Sequence, residues 1–335
     1  MSDEDTYILE VKNLSVEFPV HKNVFLRSHE NLSAVEEISF YIREGETLGL
    51  VGESGCGKTT LARAIIKGLS FHNPDVKITG NIFFRTDDVI VDIMKLKNRE
   101  MRNYRSKIQI IFQDPYSSLN SRMSVRQIVE EPLLNHTSLN KEQRIERVVY
   151  ILEKTGIQAD YLNRYPHEFS GGQRQRIGIA RALAANPVLI IADEPVSALD
   201  VSVQAQVINL LQDLQKEFNL SILFISHDLS VVRHISERIA VMYLGKMIET
   251  GQSDEVYNQP SHPYTKALLS SIPEPDISKD RSKRIILKGE VPGAINKPGG
   301  CVFHTRCPVS QKDCNIITPL LVEKSKGHYS ACPYY

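Results

Sequence analysis

Cysteine is almost missing from this chain until its end. The first 300 of 335 residues hold only Cys56, and the other four, Cys301, Cys307, Cys314 and Cys332, fall in the last tenth. Net charge is missing too, because 40 basic and 40 acidic side chains cancel. Without a basic footprint, broad nucleic-acid binding is not expected. No apolar run approaches the roughly 18 residues that would cross a bilayer. The opening "MSDEDTYILEVKNL" is acidic and lacks the basic-then-apolar layout of a signal peptide. No internal repeat or coiled-coil pattern stands out. These absences predict a globular protein kept in the cytosol. Stable disulfides are rare there, which weakens a disulfide reading of the four late cysteines.

What is present is a series of short, β-branched apolar runs: "ETLGLV", "KIQIIF", "PVLIIA", "SILFIS" and "RIAVMYL". Between them lie stretches such as "KTTLARAIIKGL" and "VQAQVINLLQDLQKEF", apolar at helical spacing. Strands alternating with helices predict an α/β fold with a parallel central sheet buried on both faces. Residues 114–168 read as helices and loops inserted in that core. After about 260 the pattern breaks into Pro, Gly and charge, predicting a linker and a separate loop-rich tail.

"GESGCGKTT" (52–60) fits G-x-x-x-x-G-K-[ST], with an apolar strand before it and a helix after it. Its glycines let the backbone curl N–H groups inward at phosphate oxygens, and the helix start near Lys58 adds a positive dipole end. Lys58 is placed for the β- and γ-phosphates and Thr59 for Mg²⁺. Three further strand ends carry polar residues: Gln113, the pair Asp193 and Glu194, and His227. Open α/β sheets bind ligands at such ends. Asp193 suits a Mg²⁺ holder, Glu194 the base for an attacking water, and His227 a γ-phosphate sensor. In "FSGGQRQRIGIARAL", Ser170 is placed to cap a helix whose backbone Gly171 and Gly172 leave bare. A second anion-binding helix end makes sense if it faces another subunit's nucleotide.

Taken together, "GESGCGKTT", "FQDP", "SGGQ", "LIIADEP", "SALD" and "SHD" resemble the ATP-binding subunits of ABC transporters over about residues 8–250. The resemblance implies a P-loop NTPase core at 1–260 with a helical signature subdomain at about 114–180. It also implies a head-to-tail pair of subunits sandwiching two ATP molecules. Residues Gly52, Glu53, Ser54, Gly55, Cys56, Gly57, Lys58, Thr59 and Thr60 would hold ATP, with Thr59, Gln113 and Asp193 around Mg²⁺. Ser170, Gly171, Gly172 and Gln173 would meet the opposite nucleotide, and Phe18 would stack on adenine, with Phe25 nearby as another aromatic. Lys58, Gln113, Glu194 and His227 would carry catalysis.

"PYSSLN", "YLNRYPHEFSGGQ" and "QPSHPYTKALLSSIP" narrow the resemblance to oligopeptide/dipeptide importers, and to the second of their two ATPase subunits. Nickel importers share these strings. The implied partners are a related ATPase, two integral permease subunits and an extracytoplasmic peptide-binding protein, with this chain peripheral at the cytoplasmic face of the membrane. Energising another solute such as nickel, a soluble ABC ATPase without a permease, a non-hydrolysing regulatory module and an iron or redox sensor in the tail that gates transport are the alternatives. Tandem cassettes or a long coiled-coil insertion, expected of the soluble ATPase, are absent. Glu194 and His227 speak against the non-hydrolysing module.

The tail at 261–335 is expected to form a small Cys-rich domain. Its spacing C-x5-C-x6-C-x17-C lacks zinc knuckles and ferredoxin runs alike. Separate core cysteines, a structural zinc and a [4Fe–4S] cluster all remain open on spacing. The resemblance of "GCVFHTRCP…C…AC" to the importer tail favours the cluster, with a structural or redox-sensing role; His304 and His328 are alternative ligands, expected to be exposed. Cys56, near Lys58 and a helix start, is expected to have a lowered thiol pKa and an ATP-protected reactivity. The basic run at 278–284 reads as a solvated linker rather than a lipid-facing patch.

Overall fold

The computed structural model describes residues 7–20, 30–86, 89–272 and 285–335. Phe25 and the basic run at 278–284 lie outside the described residues. The strands among the described residues are β1 (Tyr7–Val20), β2 (Glu30–Arg43), β3 (Thr47–Val51), β4 (Lys77–Thr86), β5 (Val89–Asp92), β6 (Ile108–Ile111), β7 (Leu189–Asp193), β8 (Ser221–Ser226), β9 (Arg238–Tyr243), β10 (Lys246–Gln252), β11 (Val322–Ser325) and β12 (His328–Ser330). The chain divides into two compact units. Met1–Leu9, Tyr41–Thr47 and Phe83–Ile225 make the first, and Glu10–Phe40, Leu48–Ile82 and Ser226–Tyr335 the second.

In the first unit β6, β7 and β8 run parallel, with Ile108 opposite Leu189 and Leu189 opposite Ser221. Every residue of β7 and of β8 is buried, as uniformly apolar runs in a covered sheet require. Between β6 and β7 come the helices Pro115–Ser118, Val125–His136, Lys141–Lys154 and Gly171–Ala184. The last three each start with a capping box, in which Ser124, Asn140 or Ser170 is paired with a glutamine three residues on. Each box satisfies two backbone donors that a helix start leaves over.

In the second unit β3 and β9 are parallel, with Leu48 opposite Arg238. The expectation of a parallel sheet fails beyond β9. A two-residue turn, Leu244 (φ 45) and Gly245 (φ 83), sends β10 back antiparallel along β9. Two successive positive φ angles make the tight hairpin turn that matches strand twist, and a connection this short permits only the antiparallel direction. The tail is not separate either. β12 lies antiparallel on β10, with Glu249 opposite Ser330, and β11 follows on β12.

A helix, Pro263–Ser270, occupies what the sequence reads as linker. Its proline sits at the first helical position, where a missing N–H costs nothing. The ring Nδ1 of His262 accepts the Tyr264 N–H at 3.1 Å. A further sheet, ordered β2-β1-β4-β5, also escapes the sequence reading. Among the described residues, no helix is long and apolar enough to cross a membrane.

Candidate functional site

In the first unit, Gln113 follows β6 and Glu194 follows β7. Gln113 Nε2 donates to Glu194 Oε2 at 3.0 Å. Glu194 takes a left-handed backbone, φ 47, which its own N–H secures by donating to the Ile225 carbonyl at 3.0 Å. That conformation costs a non-glycine residue on the order of 1 kcal/mol and is kept where the surroundings dictate it. Asp193, 4 % exposed, ends β7 in the ladder opposite Ile225. Thus the strand ends of β6 and β7 bring Gln113 and Glu194 together, with Asp193 adjacent in the chain.

Ser170 Oγ accepts the Gln173 N–H at 3.3 Å, and Gln173 Oε1 accepts the Ser170 N–H at 3.0 Å. Gly172 packs so closely that a Cβ would meet Val203 Cγ1 at 2.5 Å. Arg174 is buried beside this start, donating to the Pro166 carbonyl at 2.6 Å with its guanidinium 3.9 Å above the Tyr116 ring.

In the second unit the loop at 52–57 joins β3 to the helix Lys58–Ile65, which begins at Gly57 (φ 104) with no side-chain cap. Its shape is set by close backbone approach. A Cβ on Gly52 would meet the Met242 carbonyl oxygen at 2.3 Å, and one on Gly57 the Ala34 carbonyl oxygen at 2.3 Å. The Gly245 N–H donates to the Cys56 carbonyl at 2.9 Å, so the β9–β10 turn holds the loop as well. Lys58, 4 % exposed, donates to the carbonyls of Gly52 at 2.7 Å and Glu53 at 3.1 Å. The ammonium thus lies inside the curl of the loop. Thr59 and Thr60 are half-buried in the first turn, Ser54 and Gly55 are exposed, and His227 is exposed just past β8. Phe18 is half-buried in β1.

Cys56 departs from its sequence reading. Burial, at 3 % exposure, pushes the thiol up, and the Lys58 ammonium, 3.8 Å from Sγ, only partly opposes it.

The chain is similar to known proteins over most of its length. The family model "ABC transporter" matches residues 35–197, and "Oligopeptide/dipeptide transporter, C-terminal region" matches 248–314. The oligopeptide transport ATP-binding protein AppF of Bacillus subtilis is 50 % identical over 333 residues, 98 % of this chain and 97 % of that protein. OppF of Salmonella typhimurium is 50 % identical over 329 residues, 97 % and 95 % of the two chains. The chain belongs to the ABC transporter ATPases. The fold agrees, since cbiO1 from Clostridium perfringens, part of an ABC transporter complex, matches with a TM-score of 0.62 at 28 % identity, over 76 % of this chain and 92 % of that one. The cassette MJ0796, solved as a dimer bound to ADP and Pi, matches with a TM-score of 0.62 at 28 % identity, over 73 % and 98 %.

This ABC ATPase gathers its late cysteines. Cys301, Cys307, Cys314 and Cys332 line one cavity of about 340 Å³, with Phe303 and His304 among its walls. Burial raises the Cys301, Cys307 and Cys332 thiols, and their cysteine neighbours raise each further. All five cysteines are unbridged. Among the described residues, no three His, Cys, Asp or Glu side chains stand close enough to hold a metal ion. His328, an expected alternative ligand, is instead buried, its Nε2 2.7 Å from Glu249 Oε1. That pairing joins β12 to β10. His304 lines the cavity, with Nδ1 2.8 Å from the Cys301 carbonyl.

Sequence reasoning missed Tyr264 and Arg306, whose side chains both reach the phosphate loop. "HPYTKALL" was visible as an importer string, but nothing local in it points to a loop some 210 residues away.

Proposed function

We propose that this ABC ATPase energises the import of di- and oligopeptides through a membrane permease. One observation carries the reading: a single chain joins the ABC match at 35–197 to the oligopeptide/dipeptide C-terminal match at 248–314. Its ATP-holding residues are 52–60, with Lys58 turning from the loop carbonyls to the β- and γ-phosphates. Phe18 stacks on adenine. Glu194, oriented by Gln113, takes the proton of the attacking water, and His227 contacts the γ-phosphate. Thr59, Gln113 and Asp193 offer the oxygen donors that suit Mg²⁺, which when bound neutralises charge on the phosphates. Ser170, Gly171, Gly172 and Gln173 meet the nucleotide of a second, related ATPase. Two permease subunits and an extracytoplasmic peptide-binding protein complete the assembly, placing this chain at the cytoplasmic membrane face. The cassette then spans 1–260, with its helical signature subdomain at about 114–180, and the extension 261–335.

The test is phosphate release and labelled-peptide uptake by the reconstituted transporter. Glu194→Gln should keep ATP binding and lose at least about 10²-fold in turnover, the usual loss for a missing general base. Normal turnover would overturn the role given to Glu194, and ATP-independent uptake the function.

In the extension, Cys301, Cys307, Cys314 and Cys332 form a small Cys-rich site for a [4Fe–4S] cluster. Four thiols around about 340 Å³ of mostly apolar wall supply the all-sulfur donor set such a cluster takes. A lone zinc, drawn to four ligands at about 2.3 Å, would need a tighter closure. Iron, zinc and acid-labile sulfide per anaerobically purified chain, with Cys314→Ser alongside, decide between them. Zinc without sulfide would reverse the choice.

A further inference from the structure

We infer that Arg306, in the cysteine-bearing tail, is a positioning residue for the phosphate loop, acting through Glu53. The inference rests on the reading of residues 52–60 as the ATP site. Glu53 puts a carboxylate into a loop shaped for a polyanion, which is electrostatically adverse unless that charge is answered. Arg306 answers it with a fork: Nη1 donates to Glu53 Oε2 at 2.7 Å and Nη2 to Oε1 at 3.3 Å. Two-pronged geometry fixes direction as well as charge.

The guanidinium is itself well enclosed. Its side chain is 9 % exposed against 25 % for Glu53, Nη1 also reaches the Tyr243 hydroxyl at 3.4 Å, and the buried Nε has no acceptor. Glu53 is therefore its principal compensation. A second grip acts on the backbone, since the Glu53 N–H donates to the fully buried Tyr264 hydroxyl at 2.9 Å.

The run of turns that supplies Arg306 links two sets of contacts. Cys301, Phe303 and Cys307 border the cysteine cavity, and Phe303 also sets its ring 5.3 Å from Tyr243 and 5.4 Å from Tyr264. Arg306 directly precedes Cys307. A segment anchored on the cysteines thus presents the guanidinium that cancels Glu53.

The experiment is equilibrium binding of Mg·ATP to the full chain, with circular dichroism to show that each variant is folded. Arg306→Ala leaves the Glu53 carboxylate facing the phosphates and should weaken binding on the order of tenfold, more at low salt. Glu53→Ala alone sets the reference for a loop that keeps the backbone of residue 53 without its carboxylate. The double variant should bind as Glu53→Ala does and more tightly than Arg306→Ala, a pattern a purely structural strut would not give. Arg306→Lys, which keeps charge without the fork, should fall between wild type and Arg306→Ala. Wild-type affinity in Arg306→Ala would overturn the inference, and so would equal weakness in Arg306→Ala and the double variant. Lys58→Ala separates the two readings: if it binds Mg·ATP like wild type, the ATP site itself is misassigned.

Discussion

The helix Lys58–Ile65 starts at Gly57 with no side-chain cap, whereas the helix Gly171–Ala184 starts at Ser170 inside a closed capping box. Both starts are glycine-rich, and both carry the sequence pattern of an anion site. The first meets its opening turn with a left-handed glycine and no capping side chain, the bare helix start that the proposed phosphate of this chain's own nucleotide would meet. The second already has a stable local solution. Its serine hydroxyl accepts from Gln173, yet a hydroxyl also carries one donor, which the accepted bond leaves for an outside oxygen. A capped helix end can therefore wait, well ordered, for a nucleotide that arrives from elsewhere.

The largest expected effect breaks this comparison at Gly57. A methyl there meets the Ala34 carbonyl oxygen at 2.3 Å on a backbone at φ 104, with no flexible atom to give way. Strain of about 3 kcal/mol would lower Mg·ATP affinity on the order of 100-fold. Titration of the folded Gly57→Ala chain checks it, and affinity within threefold of wild type would mean the loop shape is not what selects phosphate.

Ser170 should respond more gently. Ser170→Ala removes the cap and should cost about 1 kcal/mol of stability by urea denaturation. Ser170→Asn keeps a capping oxygen and should restore that stability. If the hydroxyl serves a second nucleotide, turnover by the assembled transporter stays low in both variants. Turnover that returns with stability in the asparagine variant would reduce the signature serine to a cap. Smaller again is Gly178→Ala, within the same helix, where a Cβ meets nothing within 4 Å. It should raise stability by about 0.5–1 kcal/mol, because mid-helix glycine costs chain entropy. A fall in the urea midpoint would show that the space is used.

The same contrast explains what was legible. β3, β7, β8 and β9 announce themselves as apolar runs because both faces are buried, β6 as a shorter run with two half-buried positions, and the starts at Lys58 and Ser170 are local patterns of a few residues. β4 has only half-buried and exposed positions mixed with two buried ones, and β11 is exposed throughout, so neither carries a hydrophobic signature. Proline at 263 reads as a breaker until its position inside the first turn is known. The Arg306–Glu53 pair spans 253 residues, and no spacing rule reaches that far. Nucleotide motifs are readable because they are contiguous, whereas the tail's hold on the phosphate loop exists only in the folded chain.

Cys56 gives the smallest and sharpest test of the uncapped start. A helix N-terminus and Lys58 both favour thiolate, but burial disfavours it more, and the thiol stands above its ordinary value. Since the reactive form is the deprotonated one, raising the pKa moves the onset of alkylation to higher pH. Iodoacetamide should therefore label Cys56 slowly at pH 7, with a rate that climbs only above the range of a free thiol. Unfolding in urea should move that onset back down, because the buried environment is gone. Fast labelling of the folded chain at pH 7 would mean that the dipole end and Lys58 outweigh desolvation, and that the phosphate loop carries a stronger positive field than its burial implies.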